Sequence, residues 1–481
     1  MTVGELQATP AIAHPGESLR SSAVVAAILA SFVGVLAFAP NLANSARAAW
    51  LGHRILATHA VDLRLGAETF TAPGAHTYEG WLGAVIVALA GAFTGGVAVV
   101  GVAAFFGALA VALVRTRERG GGAIACIAVA ALSTVAALGT VTSPTATLDW
   151  LLLSATLLLV ERGGARGAYV CVALAIVWCN VSAQGLLVPG ILLAAAGAAR
   201  ACAGADSPRV RTLIRAGALA VVAMALTPAF LGLPLRGATY LRIDPTFSGL
   251  HAWQPALMPA HAYTLGVVGL VAIAALFGVW RRDRALDAVL VVGGALFAFL
   301  NAQFVPEFVL VASPIIVTIA LAALRFDGRA FHRSATALGF CTAGAVALVA
   351  AAFAPASSEA GGATHLPLGL VAPLAADGRA HRIYCASIDA CDAFVASGDP
   401  NLRVFMDGRD AAYPHSVIED QTTIAKVRPA WRARLDAWKV DAIVVRSSQQ
   451  LAEVVALLPR IWHLRSRDGT ALLFVRTVPP R

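Results

Sequence analysis

The segment VPEFVLVASPIIVTIALAAL (Val305–Leu324) decides what kind of fold this chain adopts. Its only charged side chain is that of Glu307, and the other residues are apolar or small. An α-helix needs about 20 mostly apolar residues to cross the hydrocarbon core of a bilayer. The segment therefore predicts a transmembrane helix with an acid in its first turn.

The rest of the chain has the same character. Of its 481 residues 58% are hydrophobic and only 13% are charged, and the mean hydropathy is +0.75. A water-soluble fold has too little interior to bury this much apolar surface. The net charge of +9 does not indicate nucleic-acid binding, because nearly all the bases are Arg placed between apolar runs, and only Lys426 and Lys439 are Lys. We predict a polytopic α-helical membrane protein.

Apolar runs of sufficient length recur along the chain. A preceding tail of residues 1–21 lacks the basic start of a signal peptide, so the first run is predicted to be retained as a span. The apolar run from Trp81 to Val114 is too long for one crossing, and TGG (Thr94–Gly96) interrupts it. Residues 81–93 are therefore predicted to form an interfacial or re-entrant helix. About 11 transmembrane helices are predicted, near residues 22–43, 97–114, 123–140, 147–160, 168–180, 185–199, 216–233, 263–280, 287–301, 305–324 and 334–353.

The positions of the Arg residues predict the orientation. With the N-terminus in the cytoplasm, 16 Arg lie in cytoplasmic segments and 5 in the outward loops that precede the C-terminal region. This asymmetry follows the positive-inside rule. The transmembrane domain (22–353) then has two long outer loops, 44–80 and 234–262, and the C-terminal region lies outside the cytoplasm.

The C-terminal region changes composition after a loose linker at 354–380. Residues 381–481 are predicted to form a small extracytoplasmic α/β domain, with strands at HRIYCA, LRVFMDG and DAIVVR and a closing hairpin on the turn Asp468-Gly469. A single helix is expected over Thr422–Lys439, and a Ser-capped helix over SSQQLAEVVALL. Cys385 and Cys391 are either a disulfide or two free thiols.

Polar residues collect where predicted helices end on the outer side. Asn180, Ser182 and Gln184 follow one span, and Asp149 and Glu307 lie near the ends of two others. Ionisable groups near lipid are costly unless they line a cavity, so these residues indicate either a water-filled pocket or simple hydration at the interface. No HExxH or HxxxH spacing occurs, and we predict no dedicated metal site. No GxGxxG or Walker loop supports nucleotide binding.

Several segments taken together resemble a known family. The order of a first span, a long outer loop, "WL" opening the next run, "HAWQP", "FVPEFVLVASP", and a tail with "VFMDGRDAAY" followed by "VDAIVV" resembles bacterial multi-spanning membrane proteins of the GT-C glycosyltransferase type. The resemblance covers about Asn44 to Arg476. Its most specific part is the tail, because the apolar spans alone match many transporters.

The resemblance implies transfer of a sugar from a polyprenyl-phosphate donor to an acceptor on the outer face of the membrane. It implies a carboxylate in the first outer loop that acts as a general base or holds a divalent metal, and Arg side chains that bind the lipid phosphate. The candidates for the base are Asp62 and Glu79. The candidates for substrate contacts are Arg54, Arg64, Arg242, Asp407, Arg409 and Tyr413.

Each candidate also has a purely structural interpretation. In this interpretation Glu79 lies at the membrane interface beside Trp81. Arg54, Arg64 and Arg242 then face solvent or lipid headgroups. In FMDGRDAAYPHS (Phe405–Ser416), Asp407 and Gly408 are expected to form the turn that leaves a strand, with Arg409 and Asp410 paired locally.

The sequence also departs from the family pattern at charged positions. Asn44 stands where relatives carry the first acid of the loop, Gly66 stands at a second acidic position, and Gln303 replaces an Arg. An amide cannot act as a general base. The sequence thus leaves open whether the protein catalyses transfer or is an inactive GT-C-like protein that binds a lipid-linked glycan or a partner protein. A transporter is a weaker hypothesis, because no paired broken helices are evident.

Overall fold

A computed structural model describes the chain in segments. The described residues are 43–62, 64–75, 80–93, 96–137, 144–162, 164–204, 207–228, 232–241, 269–274, 278–279, 284–323, 367–376 and 381–477. The predicted spans at 22–43 and 334–353, and most of the one at 263–280, lie outside these residues.

The first part of the described chain is helical. Short 3-10 helices at Ala183–Leu186, Met224–Leu226 and Ala302–Phe304 precede or follow longer helices, and two single-turn helices lie at Gly232–Leu235 and Gly237–Tyr240. The longer helices are α1 (Ala43–Thr58), α2 (Trp81–Gly91), α3 (Gly96–Glu118), α4 (Ala123–Ala137), α5 (Pro144–Arg162), α6 (Ala165–Val181), α7 (Leu187–Ala203), α8 (Pro208–Ala223), α9 (Ala285–Leu300) and α10 (Val305–Ala323).

Helices α3 to α7, α9 and α10 coincide with predicted spans, and α2 coincides with the helix predicted at 81–93. Helix α8 only overlaps the span predicted at 216–233, because it begins at Pro208 and ends at Ala223. Among the described residues, three stretches are long and apolar enough to cross a membrane: Val99–Glu118, Ala183–Ala203 and Val305–Ala323. Shorter apolar helices accompany them at Trp81–Gly91, Ala123–Thr134, Ala165–Val181 and Ala285–Leu300. The count of 11 spans stays a prediction.

Helix α10 lies in the middle of the bundle. Most of its residues from Val305 to Ile316 are buried, and its apolar side chains pack in one core with α5, α6, α7, α8 and α9. Pro314 interrupts its hydrogen bonds, because proline has no N–H to donate to the carbonyl of Leu310. The guanidinium of Arg115 donates to that carbonyl at 3.2 Å and also binds Glu161, so α3 satisfies the group that the proline leaves free.

The C-terminal domain is built on a five-stranded mixed sheet. The strands are β1 (His381–Cys385), β2 (Leu402–Val404), β3 (Ala442–Arg446), β4 (Trp462–Asp468) and β5 (Ala471–Arg476), in the order β2-β1-β3-β5-β4. The pairs β1–β2 and β1–β3 are parallel, and the pairs β3–β5 and β4–β5 are antiparallel. The small α/β domain and its closing hairpin are as predicted, with Gly469 in the left-handed turn position.

Helices cover both faces of this sheet. They are α11 (Val371–Ala375, after a 3-10 turn at Leu368–Leu370), α12 (Ile388–Ala396), α13 (His415–Ala425), α14 (Trp431–Ala437) and α15 (Gln450–Ala456). Leu370 and Leu374, from the segment expected to be linker, are buried in the core between α12 and the sheet.

Two details of the predicted helices are wrong. The single helix expected over Thr422–Lys439 is two helices, α13 and α14, because Pro429 cannot continue α13 and Val427 and Ala430 adopt positive φ angles at the break. Helix α15 begins after Gln449 and has no side-chain cap, so the expected Ser cap does not form.

The first outer loop contributes to the C-terminal domain. Its segment 68–70 lies parallel to the edge strand β2: the N–H of Val404 donates to the carbonyl of Glu68 at 2.8 Å, and the N–H of Phe70 donates to that of Val404 at 3.2 Å. Leu65 is almost fully buried in the core beside Phe405. The loop thus covers a sheet edge that would otherwise present unpaired backbone groups.

Candidate functional site

The first outer loop and the C-terminal domain meet at a charged contact surface, which we call the junction. It is formed by residues 43–75 on one side and by α12 and the segment after β2 on the other. That segment leaves β2 through buried Phe405 and Met406, and this apolar anchor places Asp407, Gly408 and Arg409 directly against the loop. The motif DGR is therefore positioned by packing on both sides of the junction.

Arg409 is the centre of the junction. Its Nε donates to Asp407 Oδ2 at 2.9 Å, and its Nη2 donates to Glu68 Oε1 at 2.8 Å. The guanidinium also lies over the ring of Trp50 on α1, at 5.9 Å from the ring centroid. Arg409 is only 4% exposed, so both ion pairs are shielded from water. It links two acids, one from each side of the junction.

A second ion pair crosses the junction beside the first. Arg47 Nη1 on α1 donates to Asp392 Oδ2 on α12 at 3.2 Å, and the N–H of Gly408 donates to Asp392 Oδ1 at 3.2 Å. A Cβ atom at position 408 would lie 1.6 Å from Arg47 Nη1. Only glycine leaves room for the guanidinium of Arg47 at this place.

Tyr413 completes the hydrogen bonds of Asp407. Its hydroxyl donates to Asp407 Oδ1 and accepts from the N–H of Asp407, both at 3.1 Å. Burial alone raises the pKa of Asp407, but Arg409 and Arg47 outweigh it and the pKa is lowered from 3.8. Burial, with the charge of Asp407, raises the pKa of Tyr413 well above 10.0. Asp407 is therefore a carboxylate and Tyr413 a neutral phenol.

The predicted loop residues lie at the exposed rim of the junction. Arg54 on α1 is near Asp62, with Nη2 and Oδ2 3.8 Å apart, and near Glu68, with Nη1 and Oε2 4.0 Å apart. The guanidinium of Arg54 also lies over the Trp50 ring at 5.5 Å. Asp62 and Arg64 are exposed, and the N–H of Arg64 donates to Asp62 Oδ1 at 3.1 Å.

Two further predicted residues, Glu79 and Arg242, lie outside the described residues. The structure brings Arg54, Asp62 and Arg64 together at the rim, and Asp407, Arg409 and Tyr413 together in the buried centre. Asn44 belongs to the first turn of α1, three residues before Arg47.

Sequence reasoning missed Arg47 and Asp392. They are 345 residues apart, and neither belongs to a motif. The one indication in the sequence was that Asp392 is next to Cys391, which belongs to the pair of Cys residues in the C-terminal domain. Cys385 and Cys391 form a disulfide, which decides between the two alternatives left open by the sequence and joins β1 to the helix that carries Asp392.

The acids of the junction do not fit a metal ion. Asp407, Glu68 and Asp392 each have an Arg guanidinium as partner, which occupies the oxygens a divalent cation would need. Throughout the described part of the chain, no three His, Cys, Asp or Glu side chains are grouped so as to hold a metal.

A second group of acids lies inside the helix bundle. Asp149 Oδ1 on α5 accepts hydrogen bonds from Trp178 Nε1 at 2.7 Å and from the hydroxyl of Ser182. Glu307 Oε1 on α10 accepts from Gln184 Nε2 at 3.2 Å. Both acids are at most 5% exposed. At the helix ends Asp149 therefore contacts Trp178 and Ser182, Glu307 contacts Gln184, and neutral donors hold both acids.

Comparison with known proteins supports the architecture. No protein-family model matches the sequence, and no curated protein matches it. Solved structures do: ArnT from Cupriavidus metallidurans bound to undecaprenyl phosphate has 14% identity and a TM-score of 0.56 over 96% of this chain and 98% of its own.

The archaeal oligosaccharyltransferase AglB from Archaeoglobus fulgidus, in complex with an inhibitory peptide and a dolichol-phosphate, has 13% identity and a TM-score of 0.57 over 95% of this chain and 74% of its own. Both are GT-C glycosyltransferases. The resemblance found in the sequence is confirmed at the level of the fold: this chain has a GT-C-like fold, with apolar helices long enough to cross a membrane and a small α/β domain.

Proposed function

We propose that the protein transfers a sugar from a polyprenyl-phosphate donor to an acceptor on the outer face of the bacterial inner membrane. The observation that carries this proposal is the GT-C-like fold over almost the whole chain, shared with two proteins whose structures hold undecaprenyl phosphate or dolichol-phosphate. A chain that keeps the membrane helices, the first outer loop and the C-terminal domain retains the parts that such a lipid-dependent transfer requires.

Two observations support the outer face of the membrane as the side on which transfer takes place. The disulfide between Cys385 and Cys391 is typical of an oxidising compartment, and it lies in the domain that binds the first outer loop. The greater number of Arg in the segments assigned to the cytoplasm agrees with this orientation. In this topology the N-terminus is cytoplasmic and the junction is extracytoplasmic.

The rim of the junction has the side chains for the chemistry. We assign Arg54 and Arg64, with Arg242, to the lipid phosphate, because guanidinium groups bind phosphate oxygens through paired hydrogen bonds. Asp62 is exposed and close to Arg54, so it is accessible as a general base, and Glu79 is the second candidate. Asp407, Arg409 and Tyr413 are buried and bonded to one another, so we assign them to positioning the loop.

A second function, binding of a lipid-linked glycan without transfer, has its own support. Asn44 stands where relatives carry an acid, and the buried acids of the junction are each paired with an Arg. In such a protein the rim would bind the phosphate, and no base would be needed.

One experiment separates the two functions. The purified full-length protein is reconstituted in liposomes, and binding of undecaprenyl phosphate and transfer of labelled sugar from polyprenyl-linked donors are measured. For the enzyme, Asp62→Asn or Glu79→Gln should abolish transfer and leave binding intact, while Arg54→Ala weakens both. Glu419→Gln, at an exposed position far along the chain from the rim, is the matched control.

The outcomes differ clearly. Binding without transfer from any donor supports the second function. Transfer that survives both acid substitutions removes the assignment of Asp62 and Glu79. Failure of the parent protein to bind undecaprenyl phosphate contradicts both functions.

A further inference from the structure

A cavity of about 320 Å³ lies inside the helix bundle, between α5, α7, α9 and α10. Its walls are almost entirely apolar, with Leu153, Leu187 and Phe297 among the lining residues, and Glu307 is the one charged residue among the described residues that line it. Its volume is at the lower end of the range found for small-molecule sites. The cavity is separate from the junction and shares no residue with it.

Two glycines keep this cavity open. A Cβ atom added to Gly190 on α7 or to Gly293 on α9 would meet no atom within 4 Å. These glycines therefore do not serve close helix packing, unlike Gly294, whose Cβ would lie 3.1 Å from Phe308. Gly190 is exposed on the bundle surface, which places it at the mouth of the cavity.

Glu307 forms the polar end of the cavity. Its Oε1 accepts from Gln184 Nε2, but its Oε2 is buried without a hydrogen-bond partner among the described residues. The indole N–H of Trp150 lies close to Glu307 but outside hydrogen-bond geometry. Buried polar atoms are nearly always satisfied in folded proteins, and leaving them unsatisfied is costly. A ligand that donates a hydrogen bond would remove this cost.

We propose that the cavity binds an aliphatic chain that ends in a hydrogen-bond donor, a hydroxyl group or a protonated amine. The apolar walls match the chain, and the free Oε2 of Glu307 matches the donor. A phosphate end does not suit this place, because none of the described residues that line the cavity is Arg, Lys or His and Asp149 adds a second acid near Glu307. The site is thus distinct from the Arg-rich rim assigned to the lipid phosphate.

Photoreactive C16 probes that differ only at one end test this proposal. An alcohol, an amine, an alkyl phosphate and an alkane are each cross-linked to the purified full-length protein in detergent, and the labelled residues are mapped by mass spectrometry. The alcohol or the amine should label the cavity lining about tenfold more than the phosphate or the alkane, the ratio expected for one hydrogen bond.

Four variants identify the cause of the labelling. Gly293→Leu fills the cavity and should abolish the labelling of its lining. Gly197→Leu, an exposed control on α7 with open space around it, should leave the labelling unchanged. Glu307→Leu should keep chain binding but remove the preference for donor ends. Glu307→Gln should keep the alcohol and lose the amine if the amine depends on charge.

Labelling that is equal for all four ends, or that survives Gly293→Leu, would overturn the proposal. A preference for the phosphate would assign the cavity to the lipid carrier instead and would overturn it as well. The result does not depend on transferase activity, so the proposed function can fail while this site stands.

Discussion

Two regions of the molecule bury acids, and they differ in what faces those acids. At the junction, Asp407, Asp392 and Glu68 each lie within 3.2 Å of an Arg nitrogen. In the helix bundle, Asp149 and Glu307 accept hydrogen bonds from neutral groups, and no described Arg, Lys or His bonds to them. Buried charges that are paired hold a structure together, whereas buried acids without a counter-ion cost stability and are retained where they bind something.

The largest effect on stability is expected when the central cation of the junction is removed. Arg409→Ala leaves Asp407 buried without its closest counter-ion and Glu68 without its partner. Removing one member of a buried ion pair costs about 3–5 kcal/mol. We expect the free energy of unfolding of the full-length protein to fall by about that amount in chemical denaturation followed by tryptophan fluorescence.

Arg460→Ala, at an exposed position in the same domain, is the matched control and should change the free energy of unfolding by less than about 0.5 kcal/mol. If Arg409→Ala behaves like this control, the junction does not stabilise the protein.

The same ion pair predicts a dependence on pH. The folded-state pKa of Asp407 is lowered from 3.8, so its contribution to stability is complete above the unfolded value of 3.8 and is lost as the pH falls through the folded pKa. In the variant Asp407→Asn that contribution is absent at every pH. The difference in thermal midpoint between the parent and the variant should therefore shrink as the pH is lowered below 3.8. A difference that stays constant down to strongly acidic pH would contradict the ion pair.

A smaller change tests the close approach of Arg47. Gly408→Ala places a methyl group where the guanidinium of Arg47 lies, so Arg47 must move away from Asp392. Overpacking of this kind costs about 1–3 kcal/mol. We expect faster trypsin cleavage after Arg54 and Arg64 as the loop separates from the domain.

The control for this prediction is Gly122→Ala, because a Cβ at position 122 meets no atom within 4 Å. Equal cleavage rates in both variants would show that the loop is held without Arg47.

Local patterns were sufficient to predict much of the fold. Apolar runs predicted helices α3 to α7, α9 and α10, since burial in lipid or in a bundle requires a continuous apolar stretch of given length. The strand at Ala442–Arg446 and the hairpin on Asp468-Gly469 were likewise evident from β-branched residues and a turn dipeptide. The exception was Pro429, whose effect on the helix backbone outweighed the favourable pattern around it.

The junction could not be predicted in the same way. The sequence predicted a turn at Asp407 and Gly408 with local pairing of Arg409, but Arg409 binds Glu68, which is 341 residues away. Such contacts depend on how two segments that are distant in the sequence pack together. The residue spacing within either segment does not predict that packing. By contrast, the position of Asp149, Ser182, Gln184 and Glu307 near helix ends was evident from the sequence, which left open a water-filled pocket or simple hydration at the interface.

The substitution with the smallest expected effect on stability distinguishes the two regions most clearly. Glu307→Gln replaces a carboxyl group that has no described counter-ion, and the new amide can still accept from Gln184 while its NH₂ group replaces the unpartnered oxygen. Since no ion pair is broken, we expect the free energy of unfolding to stay within about 1 kcal/mol of the parent value or to increase. The denaturation experiment used for Arg409→Ala measures both variants under the same conditions. A loss as large as that of Arg409→Ala would mean that a cation balances Glu307, and the contrast between paired acids at the junction and unpaired acids in the bundle would then fail.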